Sequence, residues 1–196
     1  MKRILINLTA IALCAAIFNF PVLAAKSPPV KGDTLPGINL VIPSKHSDRD
    51  YLGLPYSGFF KIDEIKAKVV IIEIFSMYCP HCQRDAPRVN ELCRMIEDNP
   101  NLKDKVKLIG IGAGNSPYEV GIFRKTYDIP FPLFEDGDFS IHTVLGEVRT
   151  PYFIGVKIHD DGNHRVFYSK LGGVKKADQF LKMMLRLSGL KEGGAQ

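Results

Sequence analysis

Tryptophan is missing from this 196-residue chain, and cysteine and histidine are scarce, at four and five residues. One cysteine, Cys14, lies inside an apolar leader, so three are left to Cys79, Cys82 and Cys93. An odd, small count excludes a disulfide-stapled scaffold and leaves one thiol unpaired. No second Cys-x-x-Cys and no His-x-x-x-His pattern occurs, so a zinc knuckle lacks half its ligands. His46, His142, His159 and His164 are scattered and read as surface or loop histidines. After the leader, no apolar run approaches the ~18 residues that a membrane-spanning helix needs. Repeats and low-complexity tracts are absent as well.

Positive charge is in mild surplus, +5 for the whole chain. Lys2 and Arg3 open the leader, Ile4 to Phe20 is mostly apolar, and Pro21 precedes Val22-Leu23-Ala24. That is the layout of a secretory signal cleaved before Ala25, so residues 1–24 are expected to be removed and 25–196 to form one domain. Left uncleaved, the same segment would be a membrane anchor. Export predicts an oxidising compartment, the bacterial periplasm, where disulfide chemistry is permitted. Losing Lys2 and Arg3 takes the charge from +5 to +3. The remaining cations alternate with acids in helical patterns, which describes a solvated face rather than a nucleic-acid site.

Along the mature chain, 26–37 is an extended lead-in, 38–42 a first strand, and 44–58 a polar irregular loop exposing Tyr51 and Tyr56. A short helix over 62–66 precedes Val69-Val70-Ile71-Ile72-Glu73-Ile74-Phe75, β-branched and aromatic enough for a buried strand. Val89, Leu92, Cys93 and Ile96 then recur at helical spacing, predicting a helix over 80–97 that Pro87 must bend. Val106 to Gly112 reads as a second strand. Asn115-Ser116-Pro117 offers a cap for a helix reaching about Asp128. A short strand over 131–134 and a short helix over 139–145 follow. Strands at 151–158 and 165–170 pair through the turn at 160–163, before a last helix over 175–187. Alternating strands and helices, then a hairpin and helix, give an α/β class with a mixed sheet flanked by helices.

The chemistry concentrates in Cys79-Pro80-His81-Cys82, set where the strand hands over to the helix. A Cys-x-x-Cys in that position has the layout of a thioredoxin-like redox site. A helix N-terminus offers free N–H groups and about half a positive charge, and both favour a thiolate. Pro80 suits the first helical position, where its missing N–H is harmless. His81 adds a donor or a charge near the sulfur. Such surroundings can lower a cysteine pKa from ~8.5 to as little as ~3.5. Cys79 is therefore the predicted nucleophile and Cys82, one turn in, the predicted resolving thiol. Cys93 lies eleven residues further on, about 16 Å along the helix. A disulfide needs Cα atoms within ~7 Å, so Cys93 is expected to be a buried thiol.

The segment from Glu73 to Cys82, followed by Pro87, resembles the active-site stretch of thioredoxin-fold proteins. The layout from Gly32-Asp33 to Leu185 resembles the exported TlpA/ResA-like thiol–disulfide oxidoreductases, and the Cys-Pro-His-Cys form is similar to that of DsbA-type oxidants. The resemblance implies a thioredoxin-like fold with an N-terminal extension, and a redox-active Cys79–Cys82 disulfide with no other cofactor and no metal. It places Glu73 at the buried-acid position, able to take the proton from Cys82, with a pKa raised by burial. It matches Thr150-Pro151 to the family's cis-proline loop, which frees backbone groups for an extended substrate. An ordinary trans proline opening an edge strand is the other reading. Tyr78 stands in the substrate-facing place where many relatives carry Trp. Implied partners are protein thiol or disulfide substrates and a membrane or periplasmic electron donor, with the chain acting as a monomer.

Direction stays open at this level. The TlpA-like layout implies a dithiol reductant serving cytochrome c maturation, whereas His81 implies a DsbA-like oxidant. Phe131-Pro132-Leu133-Phe134, Arg149 and Ser76 are similar to peroxiredoxins and suggest a peroxidase, although Ile72 stands where that family has a proline. A copper- or haem-handling chaperone using Cys79, Cys82 and a histidine is the non-enzymatic alternative.

Overall fold

The computed structural model describes residues 27–191. The predicted signal segment, 1–24, lies outside the described residues. Among those described, no helix is long and apolar enough to cross a membrane.

Strand β3, Val69–Phe75, is buried at all seven positions, as its apolar run, broken only by Glu73, requires of a central strand. It pairs in parallel with β4, Val106–Ala113, and antiparallel with β6, Tyr152–Ile158. Short β5, Leu133–Asp136, extends the β4 side, and β7, His164–Leu171, closes the other edge. The order is β5-β4-β3-β6-β7, a mixed five-stranded sheet. Alternate β3 side chains serve two cores. Val69, Ile71 and Phe75 pack with α2, Pro80–Glu97, α3, Pro117–Thr126, and α5, Ala177–Ser188. Val70, Ile72 and Ile74 pack with the N-terminal extension. Glu73 falls on the α2 side by the same two-residue period. Helix α4, Ser140–Val144, lies beyond β5.

The predicted helix over 80–97 is present at full length and runs unbroken through Pro87. Ser116, rather than Asn115, caps α3, exchanging hydrogen bonds with Glu119 in a capping box. The first strand shrinks to β1, Leu40–Val41, paired antiparallel with β2, Phe59–Phe60, which the sequence pattern did not indicate. The helix expected over 62–66 is a 3₁₀ turn, Ile62–Glu64.

The segment 44–58 corrects the reading of an irregular loop. It contains α1, His46–Leu52, ended by Gly53 at φ +67°. In the left-handed region glycine avoids the Cβ strain that other residues meet. Leu52 is fully buried, and buried Asp48 holds the Arg124 guanidinium through both carboxylate oxygens. Tyr51 is half-buried rather than exposed: its hydroxyl accepts the Leu108 N–H at 2.9 Å, and Lys107 Nζ sits 4.1 Å from its ring centroid. Tyr56 is exposed as expected. One apolar anchor and an interior ion pair gave α1 no apolar periodicity to read. Cys93 is buried beside Tyr51, and burial pushes its thiol up to about 12, which keeps it un-ionised at neutral pH.

Candidate active site

The site forms where the parallel strand order places it, at the carboxyl end of β3 and the start of α2. Cys79 is the N-cap residue, with extended backbone at φ −83°, and Pro80 occupies the first turn. Cys79 N–H donates to the Ser76 carbonyl at 3.0 Å, while its own carbonyl accepts the Gln83 N–H at 3.1 Å. Gln83 reaches back to the Met77 carbonyl at 2.7 Å. The turn is thus closed at both ends by the chain itself.

The two thiols sit in opposite environments. Cys79 is partly exposed and Cys82 fully buried. Burial pushes Cys79 upward, but hydrogen bonds from the Thr150 side chain, the Cys82 N–H and thiol, and the His81 N–H outweigh it and leave the group below its ordinary value. For Cys82 burial dominates, and the nearby Glu73 and Cys79 charges add to it, so this thiol is held well above its ordinary value. Glu73 is 4% exposed and its carboxyl is pushed up to about 8, first by burial and then by the charges of Asp85 and Cys79. One acidic thiol, one reluctant thiol and a carboxyl titrating near neutrality are therefore in electrostatic contact.

Thr150 and Pro151 come to the same place from just before β6, whose first residue Tyr152 pairs with Ile74 near the end of β3. Their peptide bond is cis, and the Thr150 carbonyl accepts from Cys79 Sγ at 3.4 Å. Tyr78 is exposed, and its hydroxyl donates to the Glu119 carboxylate in the α3 capping box. That contact and the Ser116 donors hold Glu119 below the usual carboxylate range.

The exposed His81 ring has a partner on its own helix: Arg84 Nη2 donates to Nδ1 at 2.8 Å, since a guanidinium can only donate. What His81 contributes at Cys79 is its backbone N–H.

Two further residues complete the site. Asp85 is buried, its Oδ2 accepting the Val174 N–H at 2.7 Å, with Arg88 Nη1 3.9 Å from Oδ1. Burial pushes its carboxyl up, against the Val174 bond and Arg88. Its signal was available: a charge three residues after Cys82, beside Ala86 and Val89 on the apolar face. Asn115 is completely buried, and its Oδ1 accepts the Met77 N–H at 2.8 Å, tying the active-site turn to the end of β4. No local pattern marks that role, because the partner lies 38 positions away.

Of the peroxidase-like features, exposed Arg149 adjoins Thr150 at the site, whereas Phe131 and Phe134 are buried in different cores. Among the described residues, no group of three or more His, Cys, Asp or Glu side chains is placed to hold a metal ion.

The model of the AhpC/TSA family matches residues 56–168, more than half of the chain, and the chain belongs to that family. Over 92 residues it is 28% identical to the thiol-disulfide oxidoreductase ResA of Bacillus thuringiensis, covering 46% of this chain and 50% of that one. The chain thus spans about half the length of the curated relatives it matches. The thioredoxin domain of a thiol-disulfide oxidoreductase from Bacteroides vulgatus superposes with a TM-score of 0.58 at 12% identity, over 79% of this chain and 98% of that one. StoA from Bacillus subtilis gives 0.52 at 18% identity, over 76% and 98%. At such identities the likeness is one of fold, and that fold is thioredoxin-like, as the sequence resemblance implied.

Proposed function

We propose that this chain is an exported thiol–disulfide oxidoreductase that reduces disulfides in protein substrates through Cys79 and Cys82, in the periplasm. The observation that carries the reading is the opposed ionisation of two cysteines one helical turn apart, above a carboxyl held at about 8. The Cys79 thiolate attacks one sulfur of a substrate disulfide; the S–S bond breaks, and the displaced sulfur leaves as a thiolate that takes a proton. The Cys82 thiol then gives its proton to ionised Glu73 and attacks Cys79 Sγ. The mixed disulfide breaks, Cys79–Cys82 forms, and the second substrate thiol departs. Two electrons pass from the dithiol to the substrate, and a thiol donor in the same compartment must return them.

His81 supports the reducing direction. The oxidant alternative rests on an imidazole stabilising the thiolate, yet that ring is engaged by Arg84. The ResA relative is named for the same class of reaction. Haem attachment during cytochrome c maturation is the process we assign to the substrates, on the TlpA-like layout.

Potentials of Cys-x-x-Cys proteins run from about −270 to −120 mV, a span worth roughly 7 kcal/mol. Titration of the pair against glutathione is expected to place it toward the reducing end; a value near the oxidising end reverses the direction. Cys82→Ala is expected to accumulate a covalent mixed disulfide with substrate and Cys79→Ala none. Absence of adducts with both variants removes the reaction itself.

A further inference from the structure

A groove of about 940 Å³ runs away from the active site, sharing His81, Thr150 and Pro151 with it. Its walls are the first turns of α2, the loop before β6, the end of β7 and the approach to α5. Six cations line it: Arg84, Arg88, Arg149, Lys170, Lys175 and Lys176. All six are exposed. The only carboxylate in the lining is Asp85, which is buried and already bound by the Val174 N–H. Apart from the long contact of Arg88 to Asp85, none of the six enters an ion pair among the described residues.

The fold does not need this arrangement. Like charges gathered without counter-charges repel and work against the compact state. A concave surface of one sign, beside low-dielectric walls, attracts and orients a partner of the other sign. Exposed Leu171 and the side of Phe180 add apolar surface within the groove, and β7 is an edge strand whose outer side is taken by Gly32 and Asp33 at Val166, ahead of the groove residues 168–171. Charge, apolar contact and the stretch of strand edge beyond Val166 together suit a polypeptide.

We propose that this groove binds an acidic polypeptide segment, the stretch flanking the cystine that Cys79 attacks. The assignment deepens the thiol–disulfide reading and rests on it. The groove sets which disulfides are reached quickly; the thiol pair does the chemistry on any of them.

The test compares two disulfide-closed peptides, identical except that one has Glu and Asp flanks and the other Lys and Arg. Reduced protein is expected to react with the acidic peptide on the order of tenfold faster at low salt. That advantage should collapse at 1 M salt, where the Debye length is about 3 Å. Lys170→Glu, Lys175→Glu and Lys176→Glu together should bring the ratio of rates to one or below. The same charge change at Lys61, Lys103 and Lys125, outside the groove, should leave the ratio as it was. A wild-type ratio near one at low salt overturns the proposal, and so does an equal fall in both triple variants.

Two controls separate groove from chemistry: binding of both peptides with their cysteines replaced by serine, and reduction of neutral hydroxyethyl disulfide. If the small disulfide is reduced but the serine peptides bind without preference, the groove assignment fails and the redox reading stands. If the acidic serine peptide binds preferentially and the small disulfide is untouched, the redox reading fails and the groove stands.

Discussion

The buried carboxyl of Asp85 acts on the buried carboxyl of Glu73, and after burial itself its charge is the largest influence holding Glu73 near 8. The two come from different elements, α2 and β3; Arg88 stands 3.9 Å from Asp85, while no lysine or arginine is among the influences at Glu73. A carboxyl with an ordinary value would be ionised at all neutral pH and a poor acceptor for a thiol proton. A general base does best with a pKa near the working pH. Asp85 thus positions the ionisation of Glu73 without touching substrate.

Asp85→Asn is therefore expected to lower the pH at which Cys82 displaces substrate from Cys79. The amide oxygen can still accept the Val174 N–H, so the α2–α5 approach is kept while the charge is lost. The measurement is the pH profile of disulfide closure from a preformed mixed disulfide. Wild type should have its midpoint near 8 and the variant a lower one; coincident midpoints would remove Asp85 from the mechanism.

Glu73→Gln should slow that closing step more than the first attack by Cys79, and should also change how stability depends on pH. An unstructured glutamate ionises near 4.5 and folded Glu73 near 8. Between those values the folded protein keeps a proton that the unfolded chain has released. Stability therefore falls as pH rises through the window, by at most about 1.4 kcal/mol per unit for one proton. Above about 8 the loss is complete. Relative to wild type, Glu73→Gln should gain stability progressively from 4.5 to 8, followed by urea unfolding across that range. A difference that stays constant with pH means the folded carboxyl is not raised.

Asn115→Ala leaves the Met77 N–H without its acceptor in a partly buried turn, at a cost of roughly 1–3 kcal/mol. The same change should loosen the turn that presents Cys79, so the pH midpoint for its alkylation should rise. Asn115→Asp keeps an acceptor oxygen and should restore much of the lost stability. If Asn115→Ala matches wild type in both thermal unfolding and alkylation, the tie between β4 and the active-site turn carries no weight.

The central features were legible because they are local. Six apolar residues among the seven of 69–75 specify a strand buried on both faces. The recurrence of Val89, Leu92 and Ile96 specifies a helix face, and Cys-Pro at the junction specifies a thiol at a helix start. Glu73 was readable as buried because isoleucine and phenylalanine surround it on a strand. Segment 44–58 was not readable, since α1 is held by Leu52, a tyrosine hydroxyl and the Asp48–Arg124 pair, none of which leaves an apolar rhythm.

By itself, then, the order of residues determined which elements form and which two sulfurs lie one turn apart, because backbone propensity and side-chain periodicity act over a few positions. Only the tertiary structure decided what surrounds them. Distant segments set the Asp85 charge felt at Glu73, the tie from Asn115, and the gathering of six cations beside the Thr150–Pro151 loop. Electrostatic and hydrogen-bonding environments depend on distance in space, and packing of the sheet and helices sets those distances.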